Sequence, residues 1–563
     1  MKRFTKYILT LLLATTSLVA QGSKPTLAVN IIVSGMRSDD LTCYAENFGE
    51  EGFSRLMGGG VVFTECYADF LPTSSAVSLA SIATGTQPAT HGISTTRWYE
   101  RSVRNTPVDL CRTAVTNDNP APQGILRGYT TAHFNAQTLA EAVIASGEES
   151  HAISLAHDPL SAMMLSGGKG ECYWLDEDGN WATADCYAEV LPSWVKAHND
   201  IGFNAIYVRD SWLARFSSAS YRNSRHSDLR IYNPDSKGSR RESSKQKGDS
   251  AEAKMREQLM LTPAGNSAML EFAKKALNRL LDPRYDKGVR VLNICLDTPR
   301  HIVEKYGPDS MEWEDMLYCL DLSLAEFMTH LLAQVKSERD IVVTLCSDHG
   351  TSPTSPHAER SATAKGATAK SVTSSATASK GAERFNVRQA EVILNAFLSA
   401  RHGQQNWILG CHDRGIYLDH ELIYKQGKSL AQIQHEVATF ALQLRGVASA
   451  ITATTLCGGA FPSGVQHIVQ NGFSPRRSGD VILTLLPRRI ESDSKRVSAT
   501  GSPYNYDRHL PLIIYGGGIK PATVRTRTDI TSLAPSLALL LGVERPDCSD
   551  APVLKQVIDT LEQ

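Results

Sequence analysis

Acidic and histidine side chains recur at short spacing in three places along this sequence. Asp297 and His301 lie four residues apart, Asp348 and His349 are adjacent, and His509 stands directly before an apolar run. Carboxylate oxygens and neutral imidazole nitrogens are the ligands that suit zinc, and ligands at these spacings can converge on one ion. A single histidine near a strand is more often a structural hydrogen-bonding residue. The prediction of a metal site therefore depends on the occurrence of all three groups of residues in the same chain.

These side chains adjoin apolar runs that have the composition of buried β-strands. The clearest predicted strands cover residues 27–33, 289–296, 341–346 and 510–515. Longer helical patterns alternate with them, which is typical of an α/β fold with a doubly wound, mostly parallel sheet and helices on both faces. Ligands of such sheets bind beyond the carboxyl ends of the strands. We therefore expect the polar residues at the strand ends to form the functional site.

Length and charge restrict the functional classes. The chain has 563 residues, of which 42% are hydrophobic, so it can bury a large core and carry insertions. Lys and Arg total 58 against 59 Asp and Glu, so no net field favours nucleic acid or an anionic membrane. Two polar stretches, residues 217–258 and 352–383, are predicted to be mobile surface insertions. A basic lid is the functional alternative for the second, because it follows Asp348 and His349 closely.

The N-terminus has the pattern of a secretory signal peptide. A basic start, Met1-Lys2-Arg3, precedes an apolar run over residues 7–14 and small residues that end at Ala20. A membrane anchor would need about 20 apolar residues, and this run is shorter. No later segment is expected to span a bilayer. We predict a signal peptide at 1–20 and an exported mature domain at 21–563, either periplasmic or secreted to the cell surface or beyond.

Eleven cysteines in an exported chain permit disulfides, and the odd number leaves at least one unpaired. Cys172 and Cys186 flank an Asp-Gly-Asn turn and are a candidate pair. Cys295 and Cys346 lie in apolar runs and are predicted to be buried thiols. Spacing alone does not give the pairing.

The order of these motifs resembles the alkaline phosphatase superfamily, specifically the bacterial phosphate-irrepressible alkaline phosphatases that share the core of type I phosphodiesterases and nucleotide pyrophosphatases. The resemblance covers almost the whole predicted mature chain. Its landmarks are Gly52-Phe53-Ser54-Arg55-Leu56, Thr84-Gly85, His91-Gly92-Ile93, Thr262-Pro263-Ala264-Gly265-Asn266, Tyr306-Gly307-Pro308-Asp309-Ser310, Gly501-Ser502-Pro503-Tyr504-Asn505-Tyr506-Asp507 and Asp529-Ile530-Thr531-Ser532-Leu533-Ala534-Pro535. It implies a zinc-dependent hydrolase that acts on a phosphorylated small molecule or a phosphodiester.

The resemblance also implies roles for individual residues. Asp297, His301 and His509 match the ligands of one zinc ion, and Asp348 and His349 match two ligands of a second. In the family, a Thr or Ser between the metals attacks phosphorus and forms a covalent phospho-enzyme. Ser75 stands at that position, with Thr73 or Ser74 as alternatives if the register differs. Serine can perform this chemistry because the metal supplies the acidity that the hydroxyl lacks.

Three departures from the family concern the same site. Ser34 replaces an Asp that ligates the second zinc, which weakens that site and leaves one or two ions. Thr96 stands where the phosphomonoesterases place an Asn. A Lys and an Arg that clamp phosphate are replaced by residues that include His157, so Thr96 and His157 are predicted to contact substrate, with Lys169 as another possible cation. Loss of a cationic clamp usually costs orders of magnitude in rate.

Two functional hypotheses follow. The first is an exported metal-dependent phosphoesterase that hydrolyses monoesters or diesters through Ser75, with diesters favoured because a single charge needs less clamping. The second is a catalytically inactive pseudo-phosphatase that serves as a binding or assembly protein. A sulfatase is disfavoured because the chain lacks the Cys-x-Pro-x-Arg type of context around a nucleophile. Phosphoglycerate mutase relatives share the core but are not usually exported.

Overall fold

The computed structural model of the chain describes residues 24–100, 105–114, 121–207, 212–223, 251–283, 287–354, 384–491 and 496–561. The predicted signal peptide and most of both predicted insertions lie outside these residues. The strands are β1 (Leu27–Val33), β2 (Val61–Tyr67), β3 (Arg97–Glu100), β4 (Thr106–Asp109), β5 (Ile125–Leu126), β6 (His151–Ala156), β7 (Glu171–Leu175), β8 (Trp181–Ala184), β9 (Arg290–Leu296), β10 (Ile341–Cys346), β11 (Arg384–Phe385), β12 (Ile408–His412), β13 (Gly415–Leu418), β14 (Val447–Thr452), β15 (Val481–Leu485), β16 (Ile490–Glu491), β17 (His509–Gly516), β18 (Ala522–Val524) and β19 (Thr528–Asp529).

Helices separate most of these strands. They are α1 (Asp40–Cys43), α2 (Phe53–Gly59), α3 (Ser75–Thr84), α4 (Pro88–His91), α5 (Leu139–Ala145), α6 (Pro159–Ser166), α7 (Ser193–Ile201), α8 (Phe203–Tyr207), α9 (Ala251–Leu261), α10 (Ala264–Leu280), α11 (Thr298–Tyr306), α12 (Met311–Gln334), α13 (Val387–His402), α14 (His420–Lys425), α15 (Leu430–Ala441), α16 (Ala453–Gly458), α17 (Gly464–Asn471), α18 (Asn505–Arg508), α19 (Leu533–Leu541) and α20 (Lys555–Leu561).

The central sheet has the strand order β18-β2-β17-β10-β1-β9-β6-β7-β8-β5, with β19 beside β2. Strands β10, β1, β9, β6 and β7 run parallel to one another, which confirms the predicted mostly parallel sheet. Strand β17 pairs antiparallel with both β10 and β2. Its first residue, His509, therefore lies near the edge of the sheet where β10 ends.

The sheet buries both of its faces under helices, as predicted. Alternate residues of β1 enter opposite cores because strand side chains alternate with a period of two: Leu27, Val29 and Ile31 join one cluster, and Ala28 and Ile32 join the other. Helices α10 and α12 cover the first face. Helices α3, α6 and α19 cover the second. The ends of the central strands are thus held between two packed layers.

Helix α12 bears on the prediction that no segment after the N-terminus spans a bilayer. By length and composition it is, within the described part of the chain, the one helix that is apolar enough to cross a membrane. Trp313, Phe327 and Leu331 on this helix are fully buried in the core that covers the sheet. Its apolar character is explained by this burial.

Residues 384–491 contain a smaller hydrophobic core of their own. Strands β12, β13, β15 and β14 form an antiparallel sheet in that order, and α13 and α15 pack their apolar residues with it. The turn between β12 and β13 reaches the main body through Asp413, whose carboxylate accepts hydrogen bonds from Thr95 and Thr96. This sheet was not predicted, because its strands have only four to six residues and two of them, β12 and β14, are partly exposed and lack a continuous apolar run.

The eleven cysteines are free thiols. Cys172 and Cys186 are among them, so the candidate pair is not formed. Cys295 and Cys346 are fully buried in β9 and β10, as predicted.

Candidate active site

Three neighbouring parallel strands deliver polar residues to one edge of the central sheet. Ser34 directly follows β1, Asp297 follows β9, and Asp348 lies two residues after β10. Strand β1 lies between the other two, and its residues are in register with both. The carboxyl ends of all three strands therefore meet at the same place, which is where ligands bind in doubly wound sheets.

Ser75 and His349 form a hydrogen-bonded pair at this edge. Their side chains approach to 3.0 Å between Ser75 Oγ and His349 Nε2. His349 Nδ1 lies 2.8 Å from the Gly350 carbonyl oxygen, which can only accept, so Nδ1 carries the proton. Nε2 is therefore free to accept the proton of the Ser75 hydroxyl.

The position of Ser75 on α3 favours negative charge at its oxygen. Ser75 is the first residue of this ten-residue helix. The first amide groups of a helix have no acceptor within the helix, and its dipole is positive at this end. Ser75 is partly exposed while His349 is buried. A substrate can thus reach the hydroxyl, which is oriented by a fixed imidazole.

Asp348 and Ser34 complete a ring of polar atoms with this pair. Asp348 Oδ2 accepts a hydrogen bond of 2.8 Å from Ser34 Oγ and lies 3.5 Å from His349 Nε2. Ser34 Oγ is 3.5 Å from Ser75 Oγ. Asp348 Oδ1 accepts from the backbone amides of His349 at 2.8 Å and Gly35 at 3.3 Å. The carboxylate is therefore held rigidly against the serine and histidine.

This ring fits at most one cation. Its edges of 2.8–3.5 Å are close to the roughly 3.3 Å that separates ligands in a tetrahedral zinc site with bonds of about 2.0 Å. It supplies one carboxylate and one imidazole, and its other two donors are neutral hydroxyls, whereas catalytic zinc usually has three protein ligands. In the part of the chain that the structure describes, no group of three or more His, Cys, Asp or Glu side chains is arranged to hold a metal ion.

The other half of the site centres on Asp297, both of whose oxygens have protein partners. Oδ2 accepts from the backbone amides of His157 at 2.9 Å and Asp158 at 3.0 Å. Oδ1 accepts from the Ser161 hydroxyl at 2.7 Å, and Arg300 Nη2 lies 3.6 Å away. Burial, and next the charge of Asp158, raises the pKa of Asp297. This carboxylate therefore has little capacity left for a metal ion.

Asp158 connects Asp297 to two arginines and a histidine. Its Oδ2 forms a close ion pair with Arg300 Nη2 and lies 3.4 Å from His301 Nε2, while Oδ1 lies 3.2 Å from Arg256 Nη2. Although burial opposes its ionisation, the hydrogen bond from His301 and the charges of Arg300 and Arg256 hold the pKa of Asp158 well below its usual range. Two guanidinium groups thus face two carboxylates.

His509 is directed away from the residues with which it was grouped. Its Nε2 lies 2.7 Å from the Thr64 carbonyl oxygen, and its ring stacks on Tyr67 at 4.7 Å between centroids. A carbonyl oxygen can only accept, so Nε2 is protonated and donates to it. Among the described contacts, no hydrogen bond or ion pair joins His509 to Asp297 or His301. The first zinc site stays a prediction.

The residues predicted to contact substrate have other partners. The His157 side chain is fully buried and donates from Nε2 to the Gly265 carbonyl oxygen at 3.1 Å, and burial lowers its pKa to about 3, so the ring is neutral. The Thr96 amide donates to Asp413 at 3.1 Å. Lys169 is exposed just beyond α6. The described contacts include no hydrogen bond from Thr96, His157 or Lys169 to Ser75.

Arg300 and Arg256 are the site residues that sequence reasoning did not assign. Arg300 lies three residues after Asp297, and a cation one helical turn from a presumed metal ligand was the available signal. Arg256 falls within the predicted insertion at 217–258. The described C-terminal part of that segment is helix α9, which brings Arg256 to Asp158.

Comparison with solved structures shows which known fold the chain shares. A crystal structure of the alkaline phosphatase PafA matches with a TM-score of 0.80 and 22% identity, over 95% of this chain and 99% of that chain. Murine ectonucleotide pyrophosphatase/phosphodiesterase 5, as an inactive variant in complex with AMP, matches with a TM-score of 0.51 and 13% identity, over 96% and 100%. The fold is that of the alkaline phosphatase superfamily, which confirms what the motif order implied.

Sequence comparison defines the family. The sequence model of the type I phosphodiesterase / nucleotide pyrophosphatase family matches residues 28–142 and 163–409, and the chain belongs to this family. Over 98% of its length it is 25% identical to alkaline phosphatase PafA of Elizabethkingia meningoseptica, covering 99% of that protein. It is 24% identical to alkaline phosphatase PhoV of Synechococcus elongatus (95% and 93% covered) and to a Myroides odoratus protein named calcium-transporting ATPase (95% of each). The predicted assignment to a hydrolase family is confirmed.

Proposed function

We propose that this chain is a phosphoester hydrolase in which Ser75 is the attacking group and His349 is its base. The observation that supports this most directly is the 3.0 Å contact between Ser75 Oγ and His349 Nε2, with the opposite ring nitrogen fixed by the Gly350 carbonyl oxygen. A nucleophile within hydrogen-bond reach of an oriented base is the arrangement that covalent catalysis requires. Membership of a phosphodiesterase family makes phosphorus the electrophile.

The proposed reaction has two balanced steps. In the first, His349 Nε2 takes the hydroxyl proton, Ser75 Oγ bonds to phosphorus, and the ester bond to the alcohol breaks on the opposite side, where the leaving oxygen takes a proton from water. In the second, a water molecule attacks phosphorus from that opposite side and releases a proton to solvent, while the bond to Ser75 Oγ breaks and His349 returns its proton to the Ser75 oxygen. Asp348, 3.5 Å from Nε2, stabilises the imidazolium in both steps. The amides at the start of α3 stabilise charge on the phosphoryl oxygens.

A bound cation is an optional part of this proposal. Asp348, His349, Ser34 and Ser75 would hold it, and it would lower the pKa of the hydroxyl that it binds. The steps above do not require it, and when His349 binds a cation it is no longer available as a base. Turnover that persists in EDTA would therefore indicate that His349 acts as the base, and turnover that is lost in EDTA would indicate the cation-assisted form of the reaction.

Diesters are the proposed substrates in preference to monoesters. A phosphomonoester dianion needs more cationic stabilisation than a diester, which carries a single negative charge. Arg300 and Arg256 are engaged by Asp158 and Asp297, so their charges are already balanced. The amides at the start of α3 supply a partial positive charge beside Ser75, which suits a monoanion.

We also propose that the mature protein is exported. The support is the basic start, the short apolar run and the small residues before Gln21. Intact-mass measurement of the protein purified from its native cells tests this. A chain that begins near Gln21 is expected, whereas a retained Met1 contradicts export by a cleaved signal.

A pseudo-phosphatase is the second candidate, and one observation favours it. The Arg300 guanidinium lies where Asp297 and His301 were expected to hold zinc. In that case the protein binds a phosphoester at the start of α3 without turning it over.

Hydrolysis assays with matched variants decide between the two. The mature chain is assayed on bis-p-nitrophenyl phosphate and p-nitrophenyl phosphate, with and without EDTA, beside Ser75→Ala and Ser74→Ala. Ser74 is the neighbouring hydroxyl, and its Oγ is buried without a hydrogen-bond partner. Turnover of the diester that is lost in Ser75→Ala and retained in Ser74→Ala supports the hydrolase. Absence of turnover in the native chain, with or without added zinc, supports the pseudo-phosphatase.

A further inference from the structure

We propose that the guanidinium of Arg300 takes the place of a metal ion in the half of the site around Asp297, so that the native chain excludes zinc from this position. This inference concerns metal occupancy and goes beyond the proposed hydrolysis. It follows from the atoms that surround a single nitrogen of Arg300.

Three potential metal ligands surround Arg300 Nη2. Asp158 Oδ2 forms a close ion pair with it, His301 Nε2 lies 3.3 Å away, and Asp297 Oδ1 lies 3.6 Å away. Two carboxylate oxygens and one imidazole nitrogen around one point are the donor set of a zinc site. Here that point is occupied by a nitrogen that is permanently charged and covalently attached to the chain.

The two carboxylates that contact Arg300 already face two guanidinium groups, and Glu304, which also acts on Arg300, pairs with Arg496 at 2.9 Å. Asp158 and Asp297 supply two negative charges, and Arg300 and Arg256 supply two positive charges. The remaining capacity of Asp297 is taken by the amides of His157 and Asp158 and by the Ser161 hydroxyl. A divalent cation at this point would meet a guanidinium at contact distance in a poorly solvated site, where repulsion between like charges is strong.

The backbone of Arg300 is held in place. A Cβ added at Gly35 would lie 3.2 Å from Arg300 Cα, so helix α11 packs directly against the loop after β1. Gly35 has a φ of +87°, and its carbonyl oxygen accepts from Thr351 Oγ1 at 3.1 Å. The side chain of Arg300 is only 13% exposed. Rotation of the guanidinium into solvent would leave Asp158 and Asp297 without their shared cation, which opposes its displacement by an ion.

Zinc binding by two arginine variants tests the proposal. Arg300→Met removes the nitrogen at the centre of the three ligands, whereas Arg256→Met removes one positive charge from the same Asp158 carboxylate and leaves that nitrogen in place. Each full-length mature protein is stripped with EDTA and titrated with zinc chloride. Zinc content and the midpoint of thermal unfolding are then measured. These readouts do not depend on turnover, so failure of the proposed hydrolysis leaves the test intact.

The expected result is specific to Arg300→Met. Relative to the native chain, this variant gains about one zinc ion, its unfolding midpoint rises with zinc concentration because the ion binds only the folded state, and a further His301→Ala change abolishes both effects. Arg256→Met shows neither gain. Zinc binding by the native chain that is lost in His301→Ala overturns the proposal, and so does a folded Arg300→Met protein that gains no zinc.

A second measurement keeps the proposal testable if Arg300→Met does not fold. The zinc content of the native chain is then compared with those of Asp297→Asn and His301→Ala at saturating zinc. Equal contents support exclusion of zinc from this position. A lower content in either variant shows that the position binds metal in the native chain and overturns the proposal.

Discussion

Ser75 Oγ and His349 Nε2 lie 3.0 Å apart although the two residues are separated by 274 positions in the chain. Helix α3 supplies the hydroxyl, and the loop after β10 supplies the imidazole, whose Nδ1 is fixed at 2.8 Å from the Gly350 carbonyl oxygen. This contact places a nucleophile within hydrogen-bond reach of an oriented base, and it leads to the first prediction.

Replacement of His349 by Ala is expected to lower the turnover of bis-p-nitrophenyl phosphate by about 10²–10⁴-fold, the usual contribution of a general base. The Michaelis constant is expected to change little, because His349 acts on Ser75 rather than on the substrate. Steady-state kinetics measures both quantities. His301→Ala is the matched control, since its imidazole contacts Asp158 and Arg300 instead. Equal losses of turnover in the two variants would argue against the assigned roles.

Replacement of Ser34 by Asp is expected to make the folded protein dependent on a cation. The new carboxylate would lie near Asp348 Oδ2, which is now 2.8 Å from Ser34 Oγ. Without metal, two buried like charges should cost about 3–5 kcal/mol of the free energy of unfolding, the range for an uncompensated buried charge. Zinc should reverse this loss.

Urea unfolding of the Ser34→Asp protein with EDTA and with zinc measures this effect. Ser34→Asn is the control, because it has nearly the same size as Asp and no charge. An equal response of the two variants to zinc would exclude a new metal ligand at position 34.

Loss of Arg300 is expected to destabilise the protein far more than loss of a surface arginine. Arg300→Met in EDTA leaves Asp158 and the fully buried Asp297 without their shared cation, which should cost about 3–5 kcal/mol. Arg222 lies 3.7 Å from Glu46, and both side chains are more than half exposed, so Arg222→Met should cost less than about 1 kcal/mol. Urea unfolding gives both values. Similar costs for the two variants would show that the Arg300 cluster is not a stabilising element.

Asp507 should make stability depend on pH. Its Oδ2 accepts from the Ser502 amide at 2.7 Å, while its buried Oδ1 has no partner, and burial raises its pKa to about 6. Between about pH 4, where the unfolded carboxyl titrates, and about pH 6, the folded state keeps a proton that the unfolded state has lost. Its contribution to the free energy of unfolding therefore falls as the pH rises and is constant above about pH 6.

Asp507→Asn tests this dependence, because the amide cannot ionise. The variant should gain stability relative to the native chain as the pH is raised from about 4 to above 6. Urea unfolding across this range measures the difference. A difference that does not vary with pH would show that Asp507 titrates normally in the folded protein.

Four strands of the central sheet, β1, β9, β10 and β17, were readable from the sequence because they are buried on both faces. The limits of β1 and β10 match the prediction, since every residue of both strands is buried and polar residues follow each one closely. The direction of β17 was not readable, because an antiparallel strand buried on both faces has the same composition as a parallel one. Its antiparallel pairing is visible only from its register with β10.

The residue types of the candidate site could be predicted from the sequence, but the contacts between those residues could not. Asp348, His349 and Ser75 meet as their motif positions implied. The pairing of Asp297 with Arg300 instead of with His509 depends on Asp158, which β6 and α6 bring beside Arg300 from 142 positions away. Competition between a metal ion and a guanidinium for one carboxylate is decided by such distant neighbours, so spacing along the chain could not reveal it.

Gly35 contacts both halves of the site, the half around Ser75 and Asp348 and the half around Arg300. The backbone around it donates to Asp348 on one side and leaves no room for a side chain against the first turn of α11 on the other. A shift of that turn by a few tenths of an ångström would move Gly35, whose backbone amide donates a hydrogen bond to Asp348. Engineering of either half therefore has to conserve the spacing that this glycine sets.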